Sequence, residues 1–474
     1  SKQTIKVTMI AQQRKIQHLF WRAGFGLTPQ ELNQWQGKKL SALVDELFKE
    51  SQKSLPLSVV SLPTIASVNR KKMTAEERKA FRKERKEQSK NLNRAWLDRM
   101  VSGKERLREK MTLFWHGHFA CKTPIPYLSQ LQNNTIRAQA LGKFGDLLLA
   151  ISKDPAMLQF LNNQQNRKQQ PNENLARELL ELFTLGRGNY TEKDIQEAAR
   201  AFTGWGFNKE GRFVFRERVH DFGSKTFMGK TGDFNGEDII KIVLENPQTA
   251  HYITTKLYKF LVNEEPNTQR VKELADFFYR SDYDITKLLH KIFTANWFYE
   301  EQNVGVLIKS PVVLLVSTRR NFGITFQNKD IQLFIQRVLG QMVFNPPNVA
   351  GWAGGKYWID SSTLLFRLQF TNYIFLQSDV KVNDKDEGDV NVENFRKTGG
   401  RKLKATVAWE PYLKRFSKEK NRKKLLAELE QYLLQNQAAV PTEEFLKKWQ
   451  NEETGNFIKQ VTLALTALPD YQLA

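Results

Sequence analysis

Apolar residues in this chain recur three and four positions apart far more often than they alternate, the pattern of helices that bury one face. The clearest case is residues 172–186. At about 100° per residue, Leu175, Leu179, Leu182 and Phe183 share one helical face, while Asn174, Glu178 and Glu181 line up along its edge. Gly186 and Gly188 stop that helix, and Thr191, with Asp194 three residues on, starts another whose Ile195, Ala198, Ala199 and Phe202 form a second stripe. Two helices therefore meet at a tight corner. Similar stripes run through residues 237–244, 250–262, 271–279 and 285–293, and again through 425–434, 442–449 and 456–468. Residues 211–221 alternate well enough for a short strand or hairpin arm. The pattern predicts a mainly α fold, a multi-helix globular body with long irregular loops and little or no sheet.

Three stretches depart from that pattern and set the expected organisation. Residues 67–108 are dominated by Lys, Arg and Glu, with Met73, Phe81 and Leu92 as sparse apolar punctuation, as in a solvated face or basic helical arm. Residues 341–358 hold two prolines and three glycines, which forbid a regular helix. A loop of that length bearing Trp352, Tyr357 and Trp358 either packs on the body or forms a binding surface. Residues 378–393 are polar and acidic and residues 396–404 are basic, so this stretch buries little apolar surface on ordering. The expected division is a helical body over residues 1–375 carrying the arm at 67–108, a flexible linker or loop at 376–404, and a C-terminal helical cap at 405–474.

Composition then narrows the partners. Across 474 residues, 73 Lys and Arg against 51 Asp and Glu leave a net charge of +22. Such an excess attracts an anionic polymer such as nucleic acid, an acidic glycan, a membrane surface or an acidic protein. Cys121 is the single cysteine, which excludes an internal disulfide and any thiolate-rich zinc or iron–sulfur centre. The most apolar run, residues 304–316, is interrupted by Lys309 and Pro311, so no membrane-spanning segment is expected. Residues 1–8 lack the apolar core of a signal peptide, which leaves two expectations: none exists, or one was removed ahead of this numbering.

Residues that carry chemistry lie in several separate places. His18 and Arg22 sit one turn apart on a short helix predicted to end at the glycines of residues 24–26. His116 and His118 flank Gly117, and on a regular helix they point to nearly opposite sides, so they share a metal only if the helix breaks at the glycine. His118 falls in the stripe of Leu107, Met111 and Phe114. Residues 222–233 tempt a phosphate-loop reading, which fails because one residue too many separates Gly223 from Gly229 and no buried strand precedes them.

The polar edge of the helix at 172–186 needs partners, because an unpaired buried carboxylate or imidazole costs several kcal/mol. One solution is a structural network in which Arg22, Arg177 or Arg200 pairs with the glutamates and His118 donates to a carbonyl or carboxylate. The other is a cleft in which Glu178, Glu181, His118, His220 and Asp221 act as catalytic groups or metal ligands, Arg22 and Lys225 bind substrate, and a divalent metal is the candidate cofactor. In the irregular loop, Trp352, Trp358 and Asn348 are the binding candidates, since rings beside amides suit stacking on sugars or bases.

Residues 17–26, 114–119, 172–186, 190–205, 220–229 and 344–352 together resemble the signature blocks of the large bacterial family catalogued as domain of unknown function 1800, over about residues 15–375. The resemblance implies a bacterial, mostly helical protein. It also implies export to the periplasm or cell surface and, from the sulfatase-like proteins whose genes often neighbour the family's, a link to polymer or envelope chemistry. It brings no catalytic residue that can be carried over, and Gly117 and the basic arm are local departures from it. Two function classes follow. One is a basic, envelope-associated protein that binds an anionic polymer, a glycan or an acidic protein, the arm steering and the tryptophan loop gripping. The alternative is a hydrolase or metal-assisted enzyme using the His and Glu residues. Salt-sensitive retention on heparin favours the first. A bound divalent metal, or a closed cluster of His118, Glu178 and His220, favours the second.

Overall fold

A computed structural model describes residues 2–61, 73–380 and 402–474, with side chains from Gln12 onward. Residues 67–72 of the expected arm, residues 381–401 of the expected linker and residues 396–401 of its basic run lie outside the described residues. Among the described residues the protein is mainly α, with 21 α-helices and three small two-stranded antiparallel sheets.

Local signals explain where most helices begin. The long helix Ala75–Ser102 starts at a capping box in which Thr74 accepts from the Glu77 amide and Glu77 accepts from the Thr74 amide. Asn235 with Asp238, and Asp360 with Thr363, do the same for the helices Gly236–Glu245 and Ser361–Phe375. The long helix changes character along its length. Its first half is largely exposed, whereas its second half buries Leu92, Trp96, Leu97 and Met100.

The helix expected over 172–186 is only partly regular. An α-helix over Asn174–Glu178 widens into a π-helical stretch over Leu179–Thr184, where the Leu185 amide reaches the Leu180 carbonyl at 3.0 Å. The Thr184 hydroxyl donates to the Leu179 carbonyl at 2.6 Å, a side-chain bond that competes with regular helix geometry. Leu179, Leu180 and Phe183 are all buried by the wider turn. The alternating run at 211–221 is half of a hairpin, with Phe213–Phe215 paired to Trp205–Phe207. Residues Lys230–Gly232 pair with Lys225–Phe227, so the Gly-Lys-Thr triplet turns a hairpin.

One hydrophobic core runs from Ile16 to Ala474. The C-terminal helices share it: the Tyr432 hydroxyl donates to the Leu27 carbonyl at 2.9 Å, and Leu307 and Ala474 exchange backbone hydrogen bonds. The strand Ala405–Val407 pairs with Ile324–Phe326 and leads into a helix, Trp409–Phe416, that the apolar stripes did not reveal. No helix among the described residues is long and apolar enough to cross a membrane.

Candidate functional site

The irregular loop at 341–358 and the long basic helix face each other across a cleft of about 1100 Å³. Lys86 and Lys90 from the helix, Lys122, and Arg337 from the helix Ile331–Val338 line it, together with Trp352, Tyr357 and Trp358. Asn345, Asn348, Thr123 and Ser129 add neutral polar groups, and among the described residues no aspartate or glutamate is in the lining. Lys90 is tied to Asp330 at 2.8 Å. Lys86 and Lys122 are exposed and have no ion-pair partner among the described residues. Tyr357 is 76% exposed, Trp352 is half-buried, and Trp358 is 8% exposed, so the three rings grade from solvent into the body.

The loop holds this shape because it is clamped to the helix Arg106–His118. Phe344 adopts φ 67°, a left-handed conformation costly for a bulky side chain, and its amide donates to His116 Nε2 at 3.0 Å. The His116 ring also lies against Trp96, Phe344 and Trp352. Burial, and then the nearby Arg137, push the His116 pKa down to about 3, so it stays a neutral acceptor. The second clamp is glycine on glycine. Gly351 has φ 76°, and a Cβ there would lie 2.3 Å from the Gly117 carbonyl oxygen. The helix does not break at Gly117, whose carbonyl oxygen is the atom the loop approaches. A third tie is an amide pair: Gln336 and Asn93 bond each other at 2.8 and 3.1 Å, and both reach Val343 at the start of the loop.

The predicted catalytic residues occupy other places. His118 is buried among Phe114, Trp115, Phe119, Phe144 and Phe183, and its Nε2 donates to the Phe183 carbonyl at 3.1 Å. Burial, and then Lys256, hold its pKa well below the usual histidine range. Glu181 accepts from Arg187 at 2.6 Å and from the Tyr190 hydroxyl at 2.8 Å, which lowers its pKa. Glu178 is half-buried, and burial, with Glu181 adding to it, raises its pKa.

His220 lies between Phe215 and Phe222, with Nδ1 donating to the Thr203 carbonyl at 2.8 Å. Asp221 is paired with Arg200 at 2.7 Å, and Lys225 donates to the Asp221 and Gly223 carbonyls. The expected cleft would have brought His118, Glu178 and Glu181 together with His220, Asp221 and Lys225. No hydrogen bond, ion pair or ring contact among the described residues joins these two groups. Among the described residues no cluster of three His, Cys, Asp or Glu has the geometry to hold a metal.

Arginine pairing also differs in detail from the expected network. Arg177 bonds Glu173 and Glu192 and reaches the two glutamates only through space, while Arg22 donates to the Asn303 carbonyl. Of the loop candidates, Trp352, Trp358 and Asn348 do line the cleft, the Asn348 Oδ1 also accepting the Ala350 amide at 2.9 Å. Lys122 and Arg337 were not singled out from the sequence, and Lys86 and Lys90 entered only as part of the basic arm at 67–108. Lys86 and Lys90 share one helical face, which hinted at a surface. What lies opposite that face had no local signal.

The fold and cleft define a mainly α globular protein that presents a cationic, aromatic-walled groove. Residues 18–473 match the family described as Protein of unknown function (DUF1800), and the chain belongs to that family. The match extends through the C-terminal helices, beyond the blocks that carry the resemblance in the sequence. No curated protein and no solved structure matches the chain.

Proposed function

We propose that the protein binds an acidic glycan in the cleft between the long basic helix and the loop at 341–358. One observation carries this reading: among the described residues the cleft sets unpaired cations, Lys86 and Lys122, opposite graded aromatic rings, with no carboxylate in its lining. Ring-shaped repeat units stack on Trp352 and Tyr357 through their apolar faces, while anionic substituents meet the ammonium groups. The amides and hydroxyls of Asn345, Asn348, Thr123 and Ser129 suit a hydroxyl-rich chain. The net charge of +22 adds long-range steering.

Heparin is the probe. Wild-type protein elutes from it in a salt-dependent way. Lys86→Ala and Lys122→Ala each lower the salt needed, and Trp352→Ala weakens binding roughly tenfold, as loss of one stacked ring predicts. Trp352→Ala elutes unchanged from a plain sulfonate exchanger, where only charge counts. If all three variants elute from heparin with the wild type, the cleft is not the binding site. Tighter binding to single-stranded nucleic acid than to heparin would replace the glycan as partner.

A further inference from the structure

Phenylalanine is mostly a core residue in this protein, and among the described residues only Phe215 and Phe222 have exposed rings, at 40% and 57%. Both pack on one imidazole. Their ring centres lie 4.9 and 4.7 Å from that of His220, which is itself 2% exposed. Two phenyl rings left in water on either side of one side chain form a patch, whereas apolar residues scattered singly over a surface do not. Neither ring lines the cleft.

The turn that carries them is tied down by buried polar bonds. His220 Nδ1 donates to the Thr203 carbonyl at 2.8 Å, and the Asp221 amide donates to the Thr203 hydroxyl at 2.8 Å. The Arg216 amide donates to the Gly204 carbonyl at 2.9 Å. Gly204 has φ 83°, and a Cβ there would lie 2.7 Å from the Arg216 carbonyl oxygen. These ties fix the backbone on both sides of His220, so the rings are presented to solvent instead of folding inward.

Cations gather at the same turn. Arg218 lies in its 3-10 segment, Glu217–Val219, and the Lys168 amide donates to the Val219 carbonyl at 2.9 Å, which brings Arg167 and Lys168 alongside. Arg216 donates to the Gln164 carbonyl at 2.8 Å, and burial, then the nearby Arg167, lower its pKa. Arg167, Lys168 and Arg218 are exposed and have no ion-pair partner among the described residues. Glu217 is the one carboxylate between Phe215 and His220, and Asp221 is closed on Arg200. The charge around the rings is therefore net positive.

A phenyl ring has no polar edge with which to answer hydroxyls or amides, unlike the tryptophans and the tyrosine of the cleft. It gains by leaving water for an apolar phase, while the cations beside it gain from phosphates at the border of that phase. A bilayer of anionic lipid offers these two layers in that order and asks for no shape complementarity. We propose that Phe215 and Phe222, with Arg167, Lys168 and Arg218 around them, form a surface that docks on an anionic phospholipid bilayer.

The test uses the full chain and vesicles of phosphatidylcholine with about 30% phosphatidylserine, against phosphatidylcholine alone. Wild-type protein is expected to sediment with the anionic vesicles only, and less so as salt rises. Phe222→Ala weakens that binding roughly five- to tenfold, and Lys168→Ala and Arg218→Ala each weaken it about fivefold. Ser224→Cys, labelled with an environment-sensitive dye, keeps both rings and is expected to shift to the blue on the vesicles. Cys121 is 4% exposed and does not compete for the label.

The double variant Lys86→Ala/Lys122→Ala keeps the dye shift, and Phe222→Ala keeps its retention on heparin, so this surface and the cleft fail separately. Absence of binding to anionic vesicles overturns the proposal. So does binding without a dye shift, which leaves the rings in water, or binding that Phe222→Ala leaves at the wild-type level. Loss of heparin retention in Phe222→Ala, with no vesicle binding by the wild type, would replace the bilayer by a polysaccharide. If Phe222→Ala does not fold, the dye shift and the two cation variants decide.

Discussion

The cleft and the corner at residues 172–233 hold similar inventories of rings and charges and use them in opposite ways. At the corner the charges are mostly closed on neighbours, Glu181 on Arg187 and Tyr190, Asp221 on Arg200 and Lys225 on backbone carbonyls, with Glu178 an exception. In the cleft Lys86 and Lys122 are left open to solvent and Tyr357 projects outward. Satisfied groups stabilise a fold, and open ones are available to a partner. The two histidines of the helix Arg106–His118 divide along the same line. His118 serves the aromatic core beside the corner, and His116 holds the loop that walls the cleft.

The largest effect tests what the two regions share, a buried neutral histidine. The His116 pKa is pushed down to about 3, and those of His118 and His18 lie well below the usual value. The unfolded chain, with histidine pKa values near 6.5, therefore binds more protons below that pH, and stability falls as pH falls. Asp154 works against this. Burial raises its carboxyl pKa to about 7, so its contribution grows as pH drops from there towards 4. Three histidines outweigh one carboxylate, so stability is expected to fall as pH drops below about 6.5. Urea unfolding midpoints at pH 7 and pH 5 measure it. A flat profile would mean that the histidines accept protons while folded.

Next in size is the glycine clamp. Gly351→Ala puts a methyl group where only 2.3 Å separates it from the Gly117 oxygen, at a φ of 76°. The expected loss is about 2–3 kcal/mol of stability, along with most heparin binding, because the loop must lift. His116→Phe is milder. It keeps the ring but leaves the Phe344 amide without its acceptor, at a cost of about 1–2 kcal/mol. Heparin affinity is expected to fall more than stability does. His118→Phe affects stability alone. If the two histidine variants weaken heparin binding equally, the division of roles between them is wrong.

This contrast also explains what the sequence made legible. Helical stripes, caps and the opposite aim of His116 and His118 depend on residues within a turn or two of each other, so the fold class could be read directly. The cleft could not, because its walls come from residues 86–93, 122–129 and 333–358, which meet only after folding. The π-helical stretch escaped for a different reason. Periodicity at 100° per residue has no term for a Thr184 hydroxyl that takes the Leu179 carbonyl. Trp352 was recognisable from composition alone, since a ring in a proline- and glycine-rich loop has few neighbours in sequence to pack against.

The smallest effect bears on the corner. Glu178 has no hydrogen-bond partner among the described residues, and burial raises its pKa, so its charge is a mild liability in the folded state. A carboxyl whose folded pKa lies above the unfolded value favours folding only while protonated, and that contribution is lost as pH rises through the folded pKa. Glu178→Gln removes the charge and keeps the shape. It is therefore expected to leave stability at pH 7 unchanged or raised by up to about 0.5 kcal/mol, with heparin retention identical to wild type. Glu181→Gln, which weakens the bonds to Arg187 and Tyr190, is expected to go the other way by a similar amount. Urea unfolding resolves the sign, and the heparin column resolves the role. A Glu178→Gln protein that kept its stability but lost heparin binding, or lost a bound divalent metal present in the wild type, would move function from the cleft to the corner. It would make the polar edge of this helix a working site.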